Sequence, residues 1–290
     1  MLKCWIRAMR LHTLPVSSAG VVIACCYALQ HDAFQWLPAV LCFLFAVLAQ
    51  ITSNFANEYF DFVKGSDKKG RDGFRRGVTE GDITPRAMKF ATYGTLALAC
   101  AVGCCLIPFG GWKLIPVGVL IAIFALAYSA GPYPLSRIGL GDLAVIIFFG
   151  LVPVTLTFYL QSGYISADVV CGSVGIGLIS ANVLIVNNYR DMDDDREAGK
   201  RTTVVLFGRK VAAGAYFLFG LAGAILTEWL WIDKGIYMVI PLVYLGMHFS
   251  TWKKIIRSTG AALNPLLGAT ARNLLIYALL LLAVSIFGCV

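Results

Sequence analysis

Apolar stretches of about 18 to 25 residues, the length that crosses a hydrocarbon core, recur nine times in this 290-residue chain. They fall at roughly residues 13–30, 37–60, 88–108, 112–130, 140–161, 168–189, 211–231, 236–252 and 268–288. A chain that is 59% hydrophobic and only 14% charged cannot be an ordinary soluble domain, in which about a quarter of residues carry charge. The expected fold is therefore all-α and polytopic, with about nine transmembrane helices in a single domain over residues 1–290. Residues 1–12 lack the cleavage site of a signal peptide. They are expected to form a helix on the membrane surface, with Lys3, Arg7 and Arg10 toward headgroups.

The net charge of +8 is explained by topology and calls for no nucleic acid. With the N-terminus cytoplasmic, 22 of the 24 Lys and Arg fall on the cytoplasmic side, and only Lys113 and Lys234 fall outside. That asymmetry is the positive-inside pattern. Of the nine cysteines, seven (Cys25, Cys26, Cys42, Cys100, Cys104, Cys105 and Cys171) lie in apolar segments without zinc-ligand spacing. They read as buried small hydrophobes.

Two polar clusters interrupt the apolar pattern, both on the cytoplasmic face. In the run Asn187-Asn188-Tyr189-Arg190-Asp191-Met192-Asp193-Asp194-Asp195, Asn187, Asp191 and Asp195 recur every four residues and share one helix face. In the second segment, Asn57 and Asp61 repeat that spacing 130 residues upstream, with Asp67 further on. The two segments are four apart and cross in the same direction. A parallel pseudo-repeat of four helices, with a ninth added, is the expected arrangement, and the two clusters suggest one shared site.

Unpaired carboxylates at a membrane boundary are costly and usually functional. Carboxylates on facing helices also repel one another unless cations lie between them. Mg²⁺ suits such a set, because it takes few carboxylates, keeps waters and completes its shell with phosphate oxygens. The loop 64–87 adds Lys68, Lys69, Arg71, Arg75 and Arg76 interleaved with glycines, and Lys200 and Arg201 follow the second cluster. Glycines let backbone N–H groups approach an anion, and arginines grip phosphate in bidentate fashion. Arg75, Arg76, Lys200 and Arg201 would then stabilise a leaving pyrophosphate. Acid clusters plus basic loops at a membrane surface describe a diphosphate ester with a lipid tail. Asp142, opening the fifth segment, reads as a helix N-terminal charge. His12 reads as interfacial.

With these motifs in hand, the sequence resembles the UbiA superfamily of intramembrane prenyltransferases. The resemblance rests on Asn57-Glu58-Tyr59-Phe60-Asp61 with Asp67, on Tyr128-Ser129-Ala130-Gly131-Pro132, and on Asn187-Asn188-Tyr189-Arg190-Asp191 running to Ala198-Gly199-Lys200-Arg201-Thr202. Weaker matches at Thr13-Leu14-Pro15 and Leu263-Asn264-Pro265-Leu266-Leu267 extend it over nearly the whole chain. Asn-Asn-x-Arg-Asp with Ala-Gly-Lys-Arg-Thr points within the superfamily to its naphthoate-prenylating branch.

The resemblance implies helices around a cavity open to the cytoplasm and to lipid, with two Mg²⁺ ions bridging the motifs to a diphosphate. It implies metal-side roles for Asn57, Asp61, Asp67, Asp191 and Asp195, and catalytic roles for Asn57, Asp61, Asn187 and Asp191. Arg137 joins the diphosphate-side residues, and Tyr128, Ser129 and Asn188 contact substrate. Glu58 stands where the family commonly has Asp. The implied substrates are a polyprenyl diphosphate and 1,4-dihydroxy-2-naphthoate, which would give demethylmenaquinol in a bacterial cytoplasmic membrane. The alternatives are another aromatic acceptor, such as 4-hydroxybenzoate or homogentisate, and a secondary transporter, whose acids would lie nearer the bilayer midplane.

Overall fold

A computed structural model describes residues 2–67, 69 and 73–287. Lys68, Gly70 and Arg71 of the basic loop lie outside those residues. All regular structure among the described residues is helical. In chain order the helices are α1 (Leu2–Met9), α2 (Leu14–Gln30), α3 (Trp36–Val63), α4 (Pro85–Cys104), α5 (Ile107–Gly110), α6 (Leu114–Ala127) and α7 (Gly141–Val145). A π-helical turn, Ile146–Leu151, joins α7 to α8 (Val152–Ser162). There follow α9 (Ala167–Arg190), α10 (Met192–Glu197), α11 (Thr203–Leu226), α12 (Val239–Ile255) and α13 (Asn264–Phe287).

Seven helical stretches among the described residues are long and apolar enough to cross a membrane: Leu2–Gln30, Trp36–Val63, Pro85–Cys104, Gly141–Ser162, Ala167–Arg190, Thr203–Leu226 and Gly260–Phe287. The other two expected spans are shorter. α6 has 14 residues and reaches only about 21 Å at 1.5 Å per residue, and α12 has 17. α6 is cut by the turn at Gly111 (φ 72°) on one side and by the Gly-Pro break from residue 129 on the other. The largest boundary error is at α11, which starts at Thr203 rather than near residue 211. Thr202 caps it by accepting a hydrogen bond from the Val205 N–H at 3.3 Å, and Gly208 (φ 81°, ψ 166°) kinks it. The basic pair Arg209 and Lys210 thus lies on a helix, where hydropathy alone suggested a loop.

α9 is the axis of the fold. It contacts α2, α7, α8, α11, α13 and the π turn, and sixteen of its 24 residues are buried. Close approach in lipid relies on small side chains, because no hydrophobic difference between helix and solvent drives association there. A Cβ on Gly150 would sit 2.4 Å from Gly177 Cα and Ser173 O, and one on Gly177 would sit 2.6 Å from Ile146 O. The π turn packs directly on α9 through this contact. Its cause lies one turn on: Pro153 has no N–H for the Phe149 carbonyl and crowds it. The Val152 N–H reaches back five residues to Ile147 O. Gly20 of α2 covers the Phe149 carbonyl, with its absent Cβ 2.9 Å away.

Two expectations about the surface are corrected. Cys25, Cys26 and Cys42 are buried as expected, but Cys100, Cys104, Cys105 and Cys171 are exposed on the protein surface. α1 packs Ala8 and Trp5 on Phe55 of α3, but Arg10 does not face headgroups. Arg10 adopts a left-handed backbone (φ 52°, ψ 57°), uncommon for a residue with a side chain, and points inward. His12 packs against Phe74 in a tilted arrangement, with ring centroids 4.2 Å apart.

The Gly150 contact predicts that Gly150→Val, overpacking a backbone crossing, costs about 1–3 kcal/mol. Gly118→Ala, where an added Cβ meets nothing within 4 Å, is expected to leave stability unchanged. Thermal unfolding of the two purified variants in detergent checks the contrast.

Candidate active site

The C-terminal ends of α3 and α9 line one cavity of about 170 Å³. Asn57 and Asp61 enter it from α3, Asn187 and Asn188 from α9, Asp191 from the junction of α9 and α10, and Asp195 from α10. The i, i+4 spacing therefore does project these groups into common space, and the 130-residue offset brings two chain segments to one site. Arg76, Tyr128 and Lys200 also line the cavity. A second, almost wholly apolar cavity of about 280 Å³ adjoins it, sharing Gln50, Ser53, Tyr128, Val145 and Phe149 and walled by α3, α4, α6, α8 and the π turn.

Each acid motif is held by cations of the chain itself. The Asn57 amide donates to Asp61 Oδ2 and to Ser129 Oγ, both at 3.1 Å, while its oxygen accepts from Arg10 Nη2 at 2.6 Å. Arg76 lies 4.0 Å from Asp61 Oδ2 and 3.4 Å from Asp67 Oδ2. Across the cavity Arg190 grips Asp191 in bidentate fashion, at 2.7 and 2.8 Å. The same guanidinium donates to Asn187 Oδ1 and to Asn264 Oδ1, each at 2.8 Å. Phe74 of the basic loop covers it, 5.4 Å from Cζ to the ring centroid. Lys200 Nζ is 2.9 Å from Asp195 Oδ1.

The remaining expected residues take other positions. Ser129 is buried behind Asn57 rather than on the cavity wall. Arg75 is exposed and turned to its own loop, bonded to Asp82 at 2.8 and 3.0 Å. That hydrogen bond holds the Asp82 carboxyl below the usual carboxylate range. Arg137 donates to the Ala198 carbonyl at 2.8 Å and accepts the Arg201 N–H on its own carbonyl, also at 2.8 Å. Arg201 is exposed. Arg137 thus braces the loop after α10, and neither it nor Arg75 or Arg201 reaches the cavity wall. Asp67 is joined to the site through Arg76.

Glu58, the departure from the family pattern, is buried and does not line the cavity. Its carboxylate accepts the Val78 N–H at 2.9 Å, tying down the segment that delivers Phe74 and Arg76. Lys64, just past α3, donates to the carbonyls of Ser129 (2.8 Å) and Gly131 (3.0 Å) and fixes the break after α6. Burial, reinforced by the Arg137 guanidinium, draws the Lys64 ammonium below the ordinary lysine pKa.

Sequence reasoning missed Arg10, which only the left-handed turn after α1 brings inward. It took Arg190 as a branch marker, although an arginine next to two acid-motif residues could have signalled the grip. It also read Asp142 as a helix charge, whereas Asp142 lines the cavity.

Among the described residues no three His, Cys, Asp or Glu side chains are grouped so as to hold a metal ion by themselves. The donors fit Mg²⁺ in a different way. Carboxylate and amide oxygens on both walls are hard ligands, too few to cage an ion alone, which is the usual arrangement where substrate phosphates complete the shell.

Fold and cavity together define a polytopic helical membrane protein whose oxygen-rich polar site opens onto an apolar chamber. The model of the UbiA prenyltransferase family matches residues 18–266, and the chain belongs to that family. Among curated relatives, the 1,4-dihydroxy-2-naphthoate octaprenyltransferase of Escherichia coli (strain K12) is 37% identical over 231 residues, covering 77% of this chain and 74% of that one. The enzyme of the same name from Haemophilus influenzae is 34% identical over 261 residues, covering 83% of each chain. The fold is shared with a UbiA homolog from Archaeoglobus fulgidus solved bound to DMAPP and Mg²⁺ (TM-score 0.67, 14% identity, 97% of this chain and 99% of that one). It is shared equally with an apo UbiA homolog from Aeropyrum pernix K1 (TM-score 0.68, 15% identity, 95% of each).

The Glu58 contact predicts that Glu58→Ala leaves the Val78 N–H buried and unpaired, at a cost of about 1–3 kcal/mol. Faster limited proteolysis within residues 64–84, with cleavage elsewhere unchanged, is the expected result.

Proposed function

We propose that this chain transfers a polyprenyl group from its diphosphate to 1,4-dihydroxy-2-naphthoate, with loss of CO₂, giving demethylmenaquinol. The observation that carries this reading is the pairing of one polar cavity, walled by two acid–amide motifs, with an adjoining apolar chamber. Together they suit an anionic head and an isoprenoid tail. The naphthoate-specific names of the E. coli and H. influenzae relatives support the acceptor.

Asn57, Asp61, Asn187, Asp191 and Asp195 would hold Mg²⁺, two ions by analogy with the family, and Asp67 supports the first motif through Arg76. Bound there, Mg²⁺ would neutralise the diphosphate and so make it a better leaving group. Arg76 and Lys200 are the cavity cations placed to exchange carboxylate partners for phosphate oxygens. Arg190 keeps Asn187 and Asp191 oriented throughout. Arg75, Arg137 and Arg201 act from the loops around the entrance. Tyr128 and Asn188 face the acceptor, and Ser129 holds Asn57.

As the allylic C–O bond breaks, its electron pair leaves with pyrophosphate. The cation is then held beside the apolar chamber, where little water competes for it. The ring carbon bearing the carboxylate attacks the allylic carbon, and the pair released with CO₂ restores aromaticity. The positive-inside pattern supports the reading that this face, and the N-terminus, lie on the cytoplasmic side of a bacterial inner membrane.

Purified protein given Mg²⁺, a prenyl diphosphate and the naphthoate should form a product whose mass includes the prenyl group and lacks CO₂. Asp61→Asn and Asp191→Asn are each expected to lower turnover by at least about a hundredfold, the scale of lost transition-state charge stabilisation, while the protein still folds. Near-normal activity in either variant, or a prenylated product only from 4-hydroxybenzoate or homogentisate, would refute the corresponding half of the reading.

A further inference from the structure

Asp142 opens α7 on the wall of the polar cavity, beside Tyr128, whose hydroxyl would lie 3.7 Å from a Cβ on Gly141. It differs from the other acids there. Asp61, Asp191 and Asp195 each have a cationic partner within 4.0 Å, at Arg76, Arg190 and Lys200. Asp142 has no ion pair among the described residues. Its Oδ2 accepts a short hydrogen bond from Thr203 Oγ1, which fixes the carboxylate in place. Its Oδ1 is shielded from solvent and has no hydrogen-bond partner among the described residues. A buried acceptor left unmade costs free energy that a bound donor would recover.

We propose that Asp142 Oδ1 receives the C1 hydroxyl of the aromatic acceptor, ortho to the attacking ring carbon, and is a catalytic residue of the transfer. The inference rests on the prenyl-transfer reading above. The donor assignment follows from the chemistry of the two substrates. A prenyl diphosphate offers only acceptors and negative charge, which a carboxylate repels, so the hydroxyls of the dihydroxynaphthoate are the donors available.

A carboxylate accepting such a hydroxyl raises electron density on the ring at the moment it attacks. The proton moves from the C1 hydroxyl oxygen to Asp142 Oδ1 as the new C–C bond forms at C2 and C1 becomes a ketone. When CO₂ leaves, its bonding pair restores the aromatic ring and the proton returns to the oxygen. No proton is gained or lost overall, and no further reactant is needed. Thr203 is a positioning residue, holding the carboxylate on the cavity wall through its other oxygen.

The test compares kcat/KM for 1,4-dihydroxy-2-naphthoate with that for two analogues: 1-hydroxy-2-naphthoate, which keeps the C1 hydroxyl, and 4-hydroxy-1-methoxy-2-naphthoate, whose C1 oxygen still activates the ring but has no proton to donate. Wild type is expected to penalise loss of the C1 hydroxyl proton about ten- to a hundredfold, as for a hydrogen bond to a charged group, and to accept 1-hydroxy-2-naphthoate without that penalty. In Asp142→Asn that penalty should shrink to within about threefold, with KM for the prenyl diphosphate unchanged. If Asp142→Asn does not fold, Thr203→Val carries the test and should lose at least about threefold of the discrimination. Full wild-type discrimination in the folded variant, or an equal loss for all three acceptors, would overturn the assignment. Absence of any prenylated product from wild type would instead refute the transfer reaction itself.

Discussion

Carboxylates carried to the end of a membrane helix need a counter-charge, because desolvation makes a lone buried anion costly. That requirement shapes the site. The two acid motifs meet at the ends of α3 and α9 only because Arg76, Arg190 and Lys200 stand between and behind them. Arg190 goes furthest, joining Asp191, Asn187 and Asn264 with one guanidinium and so locking the end of α9 to the start of α13. The fork of five donors makes this three-way hold possible, where a lysine would supply a single point charge.

The same charges explain how the site can be stable yet receptive. A substrate with several phosphate oxygens can take over Arg76 and Lys200, freeing Asp61 and Asp195 for divalent cations, so cation and diphosphate are expected to enter together. The scaffold behind the site contributes stiffness. The crossing of Gly150 on Gly177 and the π turn forced by Pro153 set the wall shared by the polar cavity and the apolar chamber. Glu58 contributes from α3 by anchoring the segment that carries Phe74 and Arg76.

Much of this was legible in the sequence because it is local or periodic. Helical class followed from apolar length, and the convergence of Asn57, Asp61, Asn187, Asp191 and Asp195 followed from spacing on two parallel helices. What could not be read depended on backbone excursions and long-range pairing. Arg10 reaches Asn57 through a left-handed turn that composition does not signal. Arg75 and Arg76 are adjacent and chemically alike, yet Asp82 draws one outward and Asp61 and Asp67 draw the other in. The start of α11 was masked by Arg209 and Lys210, which look like loop residues but lie on the helix; Arg209 pairs with Asp193 at 2.9 Å. Asp142 looked ordinary because its distinction is a missing partner.

The central claim is that the α3 and α9 motifs form one site whose carboxylates are released to divalent cations by the diphosphate. Electron paramagnetic resonance of Mn²⁺ with the purified protein tests it directly, in the presence and absence of a non-hydrolysable prenyl diphosphate analogue. The account predicts weak Mn²⁺ binding alone and at least about tenfold tighter binding with the analogue, a coupling within the usual range of about 1–3 kcal/mol. Asp61→Asn and Asp191→Asn should each abolish that gain. Equal Mn²⁺ affinity with and without the analogue, or a gain that survives in either variant, would contradict the account.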